Sequence, residues 1–246
     1  MISPRLARLF AQIHKWLGLI VGAQLLVWTG TGLFFTAFAI ADIHGDHLRK
    51  PPEAAHIDVS RVKLSTTDAL RAVVEDHPAQ VILKPLAGAP VYEIRAQIGV
   101  FLVSAETGEV ISPVPEEAAQ AVATAAWIGK GKLLKMELME KAPREAGLQG
   151  QVWAAHFEGK GHPIIYVSAT NGDLGPVRTD LWRTYDFLWS LHIMDYAERE
   201  NFHHPLIIAA AIFALSTVLF GIALLVHRFT RGLVTKPETP RSPPAA

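Results

Sequence analysis

The pattern of apolar and polar positions divides the chain into three stretches. From Trp16 to Ala41 there is no Asp, Glu, Lys, Arg or His, and Leu17 to Ile40 is dominated by Leu, Ile, Val, Ala and Phe. At about 1.5 Å per residue this run exceeds a hydrocarbon layer of roughly 30 Å, so it predicts a tilted transmembrane helix over 16–41. A second charge-free run of twenty-two residues, Pro205 to Val226, predicts another over 205–227. Between them lie short alternating runs, such as Tyr92-Glu93-Ile94-Arg95-Ala96 and Trp153-Ala154-Ala155-His156-Phe157, which carry the strand period. The pattern predicts a domain over 42–180, an interfacial helix and linker over 181–204, and flanking ends at 1–15 and 228–246.

The middle stretch repeats itself. Val103-Ser104-Ala105-Glu106-Thr107-Gly108-Glu109-Val110 aligns with Val167-Ser168-Ala169-Thr170-Asn171-Gly172-Asp173-Leu174 at an offset of 64 residues, which predicts two copies of one unit at about 60–114 and 115–178. In each, a strand reaches Val-Ser-Ala, turns at a glycine able to take positive φ, and continues as a second strand. A helix precedes each. Thr66 or Thr67 caps one running through Asp68, Ala69, Leu70, Ala72, Val73 and Val74, and Pro115 with Glu116 and Glu117 opens one through Ala126. Helix and antiparallel sheet, twice over, make an α+β domain. Farther on, Trp182, Tyr185, Trp189, His192 and Tyr196 recur at spacings of three and four, a shared helical face that suits either a membrane interface or packing on the domain.

Charge sets the expected orientation. Arg5, Arg8 and Lys15 precede the first run and Arg228, Arg231, Lys236 and Arg241 follow the second, whereas the inner flanks carry Asp42, Asp46, Glu198 and Glu200. The positive-inside rule then places both termini in the cytoplasm and 42–204 on the other side, the periplasm of a bacterial inner membrane. The first run is too long for a signal-peptide core, and Phe38-Ala39-Ile40-Ala41-Asp42 has Phe and Ile where cleavage needs small residues, so an uncleaved anchor is expected. The tail from Lys236 to Ala246, with Pro237, Pro240, Pro243 and Pro244, reads as disordered. Over 246 residues, 23 basic and 23 acidic side chains cancel, leaving no basic excess for a nucleic-acid partner. The absence of cysteine removes thiolate chemistry and Cys-ligated metals.

Histidine is therefore where chemistry is to be sought. Of eleven, His14 lies just before the first run and His227 just after the second, so with both ends on one side they fall at about the same depth. Two imidazoles on adjacent helices could there ligate one haem iron axially. The competing reading has them bonded to headgroups, water or helix-end carbonyls. On the far side His44 and His47 follow the first run, and His192, His203 and His204 precede the second, where a further site is conceivable. His14 and His44 stand roughly 45 Å apart if helical throughout, so the two groups share no metal, and the neighbours His203 and His204 point about 100° apart on a helix. Within the first run Gly18 and Gly22 form a small-xxx-small pair, and Gln24, Thr29 and Thr31 are expected to bond between helices. There is no Gly-rich phosphate loop, nucleophile elbow or His-Glu-x-x-His pattern, no acid/base constellation and no intramembrane charge, so no catalytic residue is assigned. Gly129-Lys130-Gly131-Lys132 reads as a flexible basic turn.

The Val-Ser-Ala-x-Thr/Asn-Gly-Glu/Asp turn after a helix and strand resembles the PepSY module. The apolar runs resemble those of PepSY-associated transmembrane proteins, through His14-Lys15-Trp16-Leu17-Gly18-Leu19 at the first and Leu191-His192 and His227-Arg228 near the second. The resemblance covers most of the chain. It implies a membrane protein of α+β class, with two transmembrane helices flanking a periplasmic domain of two PepSY-like helix-plus-antiparallel-sheet repeats. It also implies haem b bound through His14, His227 and His192, and transmembrane electron transfer such as the reduction of ferric or siderophore-bound iron, the iron chelate being the partner. Larger relatives have four or more spans, so a complete haem pocket here calls for a homodimer or another membrane subunit. The alternative is a non-catalytic periplasmic sensor, inhibitor or assembly module, held by two anchors and binding a periplasmic protein through sheet edges.

Overall fold

A computed structural model describes residues 4–51, 56–73 and 79–234. Val74, Lys236, Arg241 and the Pro-rich tail lie outside the described residues. The chain divides into two compact units, Met1–Ala37 with Asp186–Ala246, and Phe38–Tyr185.

The first unit is built on two long helices, α1 (Pro4–Ala37) and α6 (Pro205–Val234). Both are long and apolar enough to cross a membrane, over Arg8–Ala37 and Pro205–Thr230. Their outer faces leave leucine open to the surroundings: Leu19, Leu26 and Leu33 are 67%, 76% and 70% exposed, a face that water would disfavour and hydrocarbon would not. The helices run antiparallel, since Phe10 lies 5.2 Å from Phe220 and His14 meets Thr217 and Gly221. The helix expected over 16–41 ends early. Ala39 is extended (φ −66°, ψ 136°) and a short separate helix, α2 (Ile40–His44), follows. The physical reason is Ile43, which α2 buries to 1% exposure in the second unit.

The second unit holds two antiparallel sheets, each preceded by a helix. α3 (Thr66–Arg71) precedes β1 (Ala79–Leu86), β2 (Ala89–Ala96) and β3 (Gly99–Ser104). α4 (Glu116–Ala126) precedes β4 (Leu133–Met139), β5 (Val152–Phe157), β6 (Ile164–Ser168) and β7 (Leu174–Arg178). The cap of α3 is Ser65 rather than Thr66 or Thr67. Its Oγ accepts from the Asp68 N–H at 3.2 Å, as an N-cap does, and donates to the Asp68 carboxylate at 2.6 Å. Ala69 of α3 packs on Tyr92, Ile94 and Val103. On α4, Ala119 and Ala123 are fully buried, and their small side chains let the helix lie close over Ala155, Ile165 and Val167.

The two aligned octapeptides take the same turn. Gly108 and Gly172, at φ +80° and +75°, donate to the Ser104 and Ser168 carbonyls at 2.9 and 2.8 Å. The Ser104 and Ser168 N–H groups donate to Glu109 O and Asp173 O, both at 2.8 Å. Ser104 Oγ accepts from the N–H groups of Glu106 and Thr107, and Ser168 Oγ from those of Thr170 and Asn171. Beyond the turn the two differ. After Gly108 the chain makes only an isolated bridge, Val103 to Val110, whereas after Gly172 it continues as β7.

One buried charge joins the two sheets. Glu93 on β2 is 1% exposed and accepts from Lys84 Nζ and Arg95 Nε, each at 2.5 Å, while Lys84 also reaches Asp173 beyond the second turn at 2.6 Å. Burial pushes the Glu93 carboxyl up, but the Lys84 and Arg95 hydrogen bonds outweigh it and hold the group below the ordinary glutamate range. Glu93→Gln is expected to cost about 3 kcal/mol, because it removes the buried negative charge that offsets Lys84 and Arg95. The folded-state pKa being depressed, the charge contributes fully above about pH 4.3 and loses its contribution as pH falls through the lowered value. Urea unfolding of the full chain in mild detergent therefore separates wild type from Glu93→Gln at pH 7, and the gap narrows below pH 4.

Candidate functional site

The candidate site is the part of the first unit where the end of α5 (Asp180–Ile193) meets α1. Thr31, 4% exposed, donates its single hydroxyl proton to Val27 O at 2.8 Å, with Trp28 O at 3.2 Å. Its Oγ1 also stands 2.8 Å from His192 Nδ1. With the threonine proton on Val27 O, Thr31 accepts here and Nδ1 of His192 carries the hydrogen. A neutral His192 then presents the lone pair on Nε2. The ring lies edge-on to Phe35 at 5.4 Å and parallel to Trp189 at 6.4 Å, and Trp28 Nε1 donates to the His192 carbonyl at 2.8 Å. That last bond satisfies one of the carbonyls orphaned at the end of α5.

Past α5 the chain turns on a carboxylate. Met194 takes φ +57°, and Asp195, 3% exposed, accepts four backbone N–H groups, from Ala197 (3.3 Å), Glu198 (3.2 Å), Glu200 (3.1 Å) and Asn201 (3.0 Å). These donors, Asn201 foremost, outweigh burial and hold its pKa at about 2. Trp189 Nε1 donates to Arg199 O at 3.1 Å and its ring meets Phe202 at 5.7 Å, while Arg199 pairs with Asp186. The turn is thus folded over Trp189 before α6 begins.

At the other end of α1, His14 Nδ1 stands 3.0 Å from Thr217 O. A carbonyl only accepts, so Nδ1 again carries the hydrogen and the lone pair falls on Nε2. Gly221 makes room for this ring, since a Cβ there would stand 3.0 Å from His14 Cε1. Both ring nitrogens of His227 are enclosed without a hydrogen-bond partner among the described residues. His227 lies six residues beyond Gly221, roughly 9 Å along α6, so the equal depth expected for His14 and His227 gives way to an offset along the helix pair. His14 and His192 stand at opposite ends of α1, for Thr31 is seventeen residues from His14, or roughly 25 Å.

The remaining expected positions are dispersed. His44 borders a cavity of about 260 Å³ in the second unit with Arg49, Arg178 and Trp182, and His47 Nδ1 lies 3.7 Å from Asp42. His204 Nδ1 accepts the Leu206 N–H at 3.3 Å at the start of α6, and His203 is exposed. Tyr196 falls outside α5 and so off the aromatic face. That face serves two cores: Trp182 lies 3.9 Å from the Arg178 guanidinium in the second unit, whereas Trp189 packs on Phe35 at 5.9 Å in the first. Gly18 and Gly22 have nothing within 4 Å of an added Cβ, so that pair is not the contact between α1 and α6. Among the described residues Gln24 Nε2 is enclosed without a partner, beside an apolar groove of about 360 Å³ lined by Val21, Trp28, Leu206 and Phe213. In the Gly129 to Lys132 stretch Trp127 Nε1 donates to Gly131 O at 2.7 Å, and the indole is stacked on Phe157 at 4.5 Å.

Among the described residues no three His, Asp or Glu side chains group so as to hold a metal ion by themselves. An axial imidazole needs no such group. The chain matches no protein-family model, no curated protein and no solved structure.

Asp195 and Gly221 escaped the sequence reading. Asp195 had a usable signal, being a short acceptor side chain ahead of a polar run able to turn back on it. Asp195→Ala is expected to release the Ala197, Glu198, Glu200 and Asn201 amides. Hydrogen exchange should then accelerate at those four positions and stay unchanged in β5 and β6; unaltered protection at the four would remove the carboxylate from its organising role.

Proposed function

We propose that this chain is a PepSY-like protein of the bacterial inner membrane that binds haem b and takes part in electron transfer across the bilayer, towards ferric iron or iron chelates on the periplasmic side. The observation that carries the reading is the shared state of two imidazoles. His14 and His192 each have Nδ1 committed as donor, to Thr217 O and Thr31 Oγ1, and so each offers Nε2 as a ligand nitrogen. The partner on Nδ1 fixes the ring plane and raises the basicity of the opposite nitrogen, as for ligating histidines generally.

The residues fit such a group one ligand at a time. At the His192 end the Phe35 and Trp189 rings offer an apolar wall. At the other end His227 keeps two enclosed nitrogens without partners among the described residues, a desolvation cost that ligation would offset. Haem would supply one-electron chemistry tuned by axial ligand and burial. With roughly 25 Å along α1 between them, His14 and His192 would hold separate groups, and a second copy or another membrane subunit would supply the further ligands.

The test is optical. Purified in mild detergent from cells supplied with haem precursor, the full chain is expected to show a Soret band and a reduced-minus-oxidised difference spectrum. His14→Ala and His192→Ala each lower the haem-to-protein ratio, and Thr31→Val weakens haem affinity at the His192 end by about 10- to 100-fold. A colourless wild-type protein refutes the reading.

A further inference from the structure

Strand β4 is an outer edge of the four-stranded sheet, whose order is β4-β5-β6-β7. It pairs antiparallel with β5 through Met136↔Ala155, Glu137↔Ala154 and Leu138↔Trp153, and no strand lies on its other side among the described residues. Such an edge presents a row of backbone donors and acceptors to any strand that matches it. Its side chains are open as well. Leu134 and Leu138 are 60% and 44% exposed, and the Lys135 and Glu137 side chains 58% and 48%.

The sequence of this edge, Leu133-Leu134-Lys135-Met136-Glu137-Leu138-Met139, complements itself when laid antiparallel about Met136. Lys135 then faces Glu137 of the partner subunit, and Glu137 faces Lys135 of the partner subunit. Leucine meets leucine at 134 and 138, and Met136 lies beside its own copy. We propose that β4 pairs with β4 of a second copy of this chain across a two-fold axis, joining two four-stranded sheets into one of eight strands. The interface is isologous, as a two-fold requires, and every position in it finds a chemically matched neighbour.

The same residues exclude other registers. A one-residue slip turns the side chains to opposite faces of the joined sheet, and a two-residue slip sets Lys135 against lysine or Glu137 against glutamate. Within one chain Lys135 and Glu137 already pair at 2.6 Å, so the charges are compatible with an unpaired edge and gain a second partner across the axis. The bulge between Leu133 and Lys135 makes the centre of the contact Lys135, Met136 and Glu137. That bulge and the lysine blunt the edge towards unrelated strands, leaving the self-complementary register as the one that satisfies it.

The test measures mass by light scattering on the full chain in mild detergent, and needs no bound haem. Wild type is expected to be a dimer. Lys135→Glu alone and Glu137→Lys alone each set like charges across the axis and weaken association at least tenfold. An equal mixture of these two variants forms a heterodimer, since each chain's pair of like charges meets the opposite pair. That recovery shows both variants to be folded, and restoration of the internal Lys135 to Glu137 pair cannot produce it. The double variant, with the charges exchanged, returns to a homodimer. A monomeric wild type, a dimer that survives both single variants, or a mixture that fails to associate overturns the proposal.

Discussion

The hydrogen bond from His192 Nδ1 to Thr31 Oγ1 is the constraint on which the first unit turns. Buried threonine on a helix commonly returns its proton to a carbonyl one turn back, and Thr31 does so to Val27 O. What remains is an acceptor facing inward from a helix that is otherwise apolar at this level. His192 supplies the donor, Trp28 covers the His192 carbonyl, and Phe35 and Trp189 close around the ring. The end of α5 is thereby held on α1, and the chain turns between Met194 and His204 before α6 begins. Asp195 accomplishes this by gathering four amides that would otherwise need water.

The second unit rests on a different economy of polar groups. Its sheets bury small and branched apolar residues, and the one acid buried among them, Glu93, is retained with two cations on it. Lys84 then reaches beyond the second serine-glycine turn to Asp173, so the turn that repeats along the chain also places a carboxylate where the first sheet can use it. The two turns share their backbone and serine hydrogen bonds, whereas the strands around them number three and four. Turn chemistry of this kind depends on a few adjacent residues, while strand pairing depends on distant ones.

Much was legible without coordinates for that reason. The two long apolar helices, the repeated turns and the opening of α4 at Glu116 are local properties, determined by composition, by glycine at a left-handed position and by charge at a helix start. Less legible were the ends of elements. The break after Ala37 follows from the burial of Ile43, and the cap of α3 moved to Ser65 because its hydroxyl, two residues before Thr67, could exchange hydrogen bonds with Asp68. The candidate site was half legible. His14, His192 and His227 stand out in a chain without cysteine, but their protonation pattern and relative levels do not.

By itself the sequence determined which residues could carry chemistry and where long helices and tight turns would form, because these depend on side-chain type and on neighbours a few residues away. Only the tertiary structure decided that Thr31 would commit its proton to its own helix and so set the His192 tautomer, that Gly221 would admit the His14 ring, and that His227 would sit one level beyond it. It also decided that β4 would be an edge, turning an unremarked stretch of alternating leucine, lysine, methionine and glutamate into a surface with its own complement. The physical reason is the same in each case. Hydrogen-bond roles, helix register and strand neighbours are relations between residues far apart in the chain, and they exist only once packing has brought those residues together.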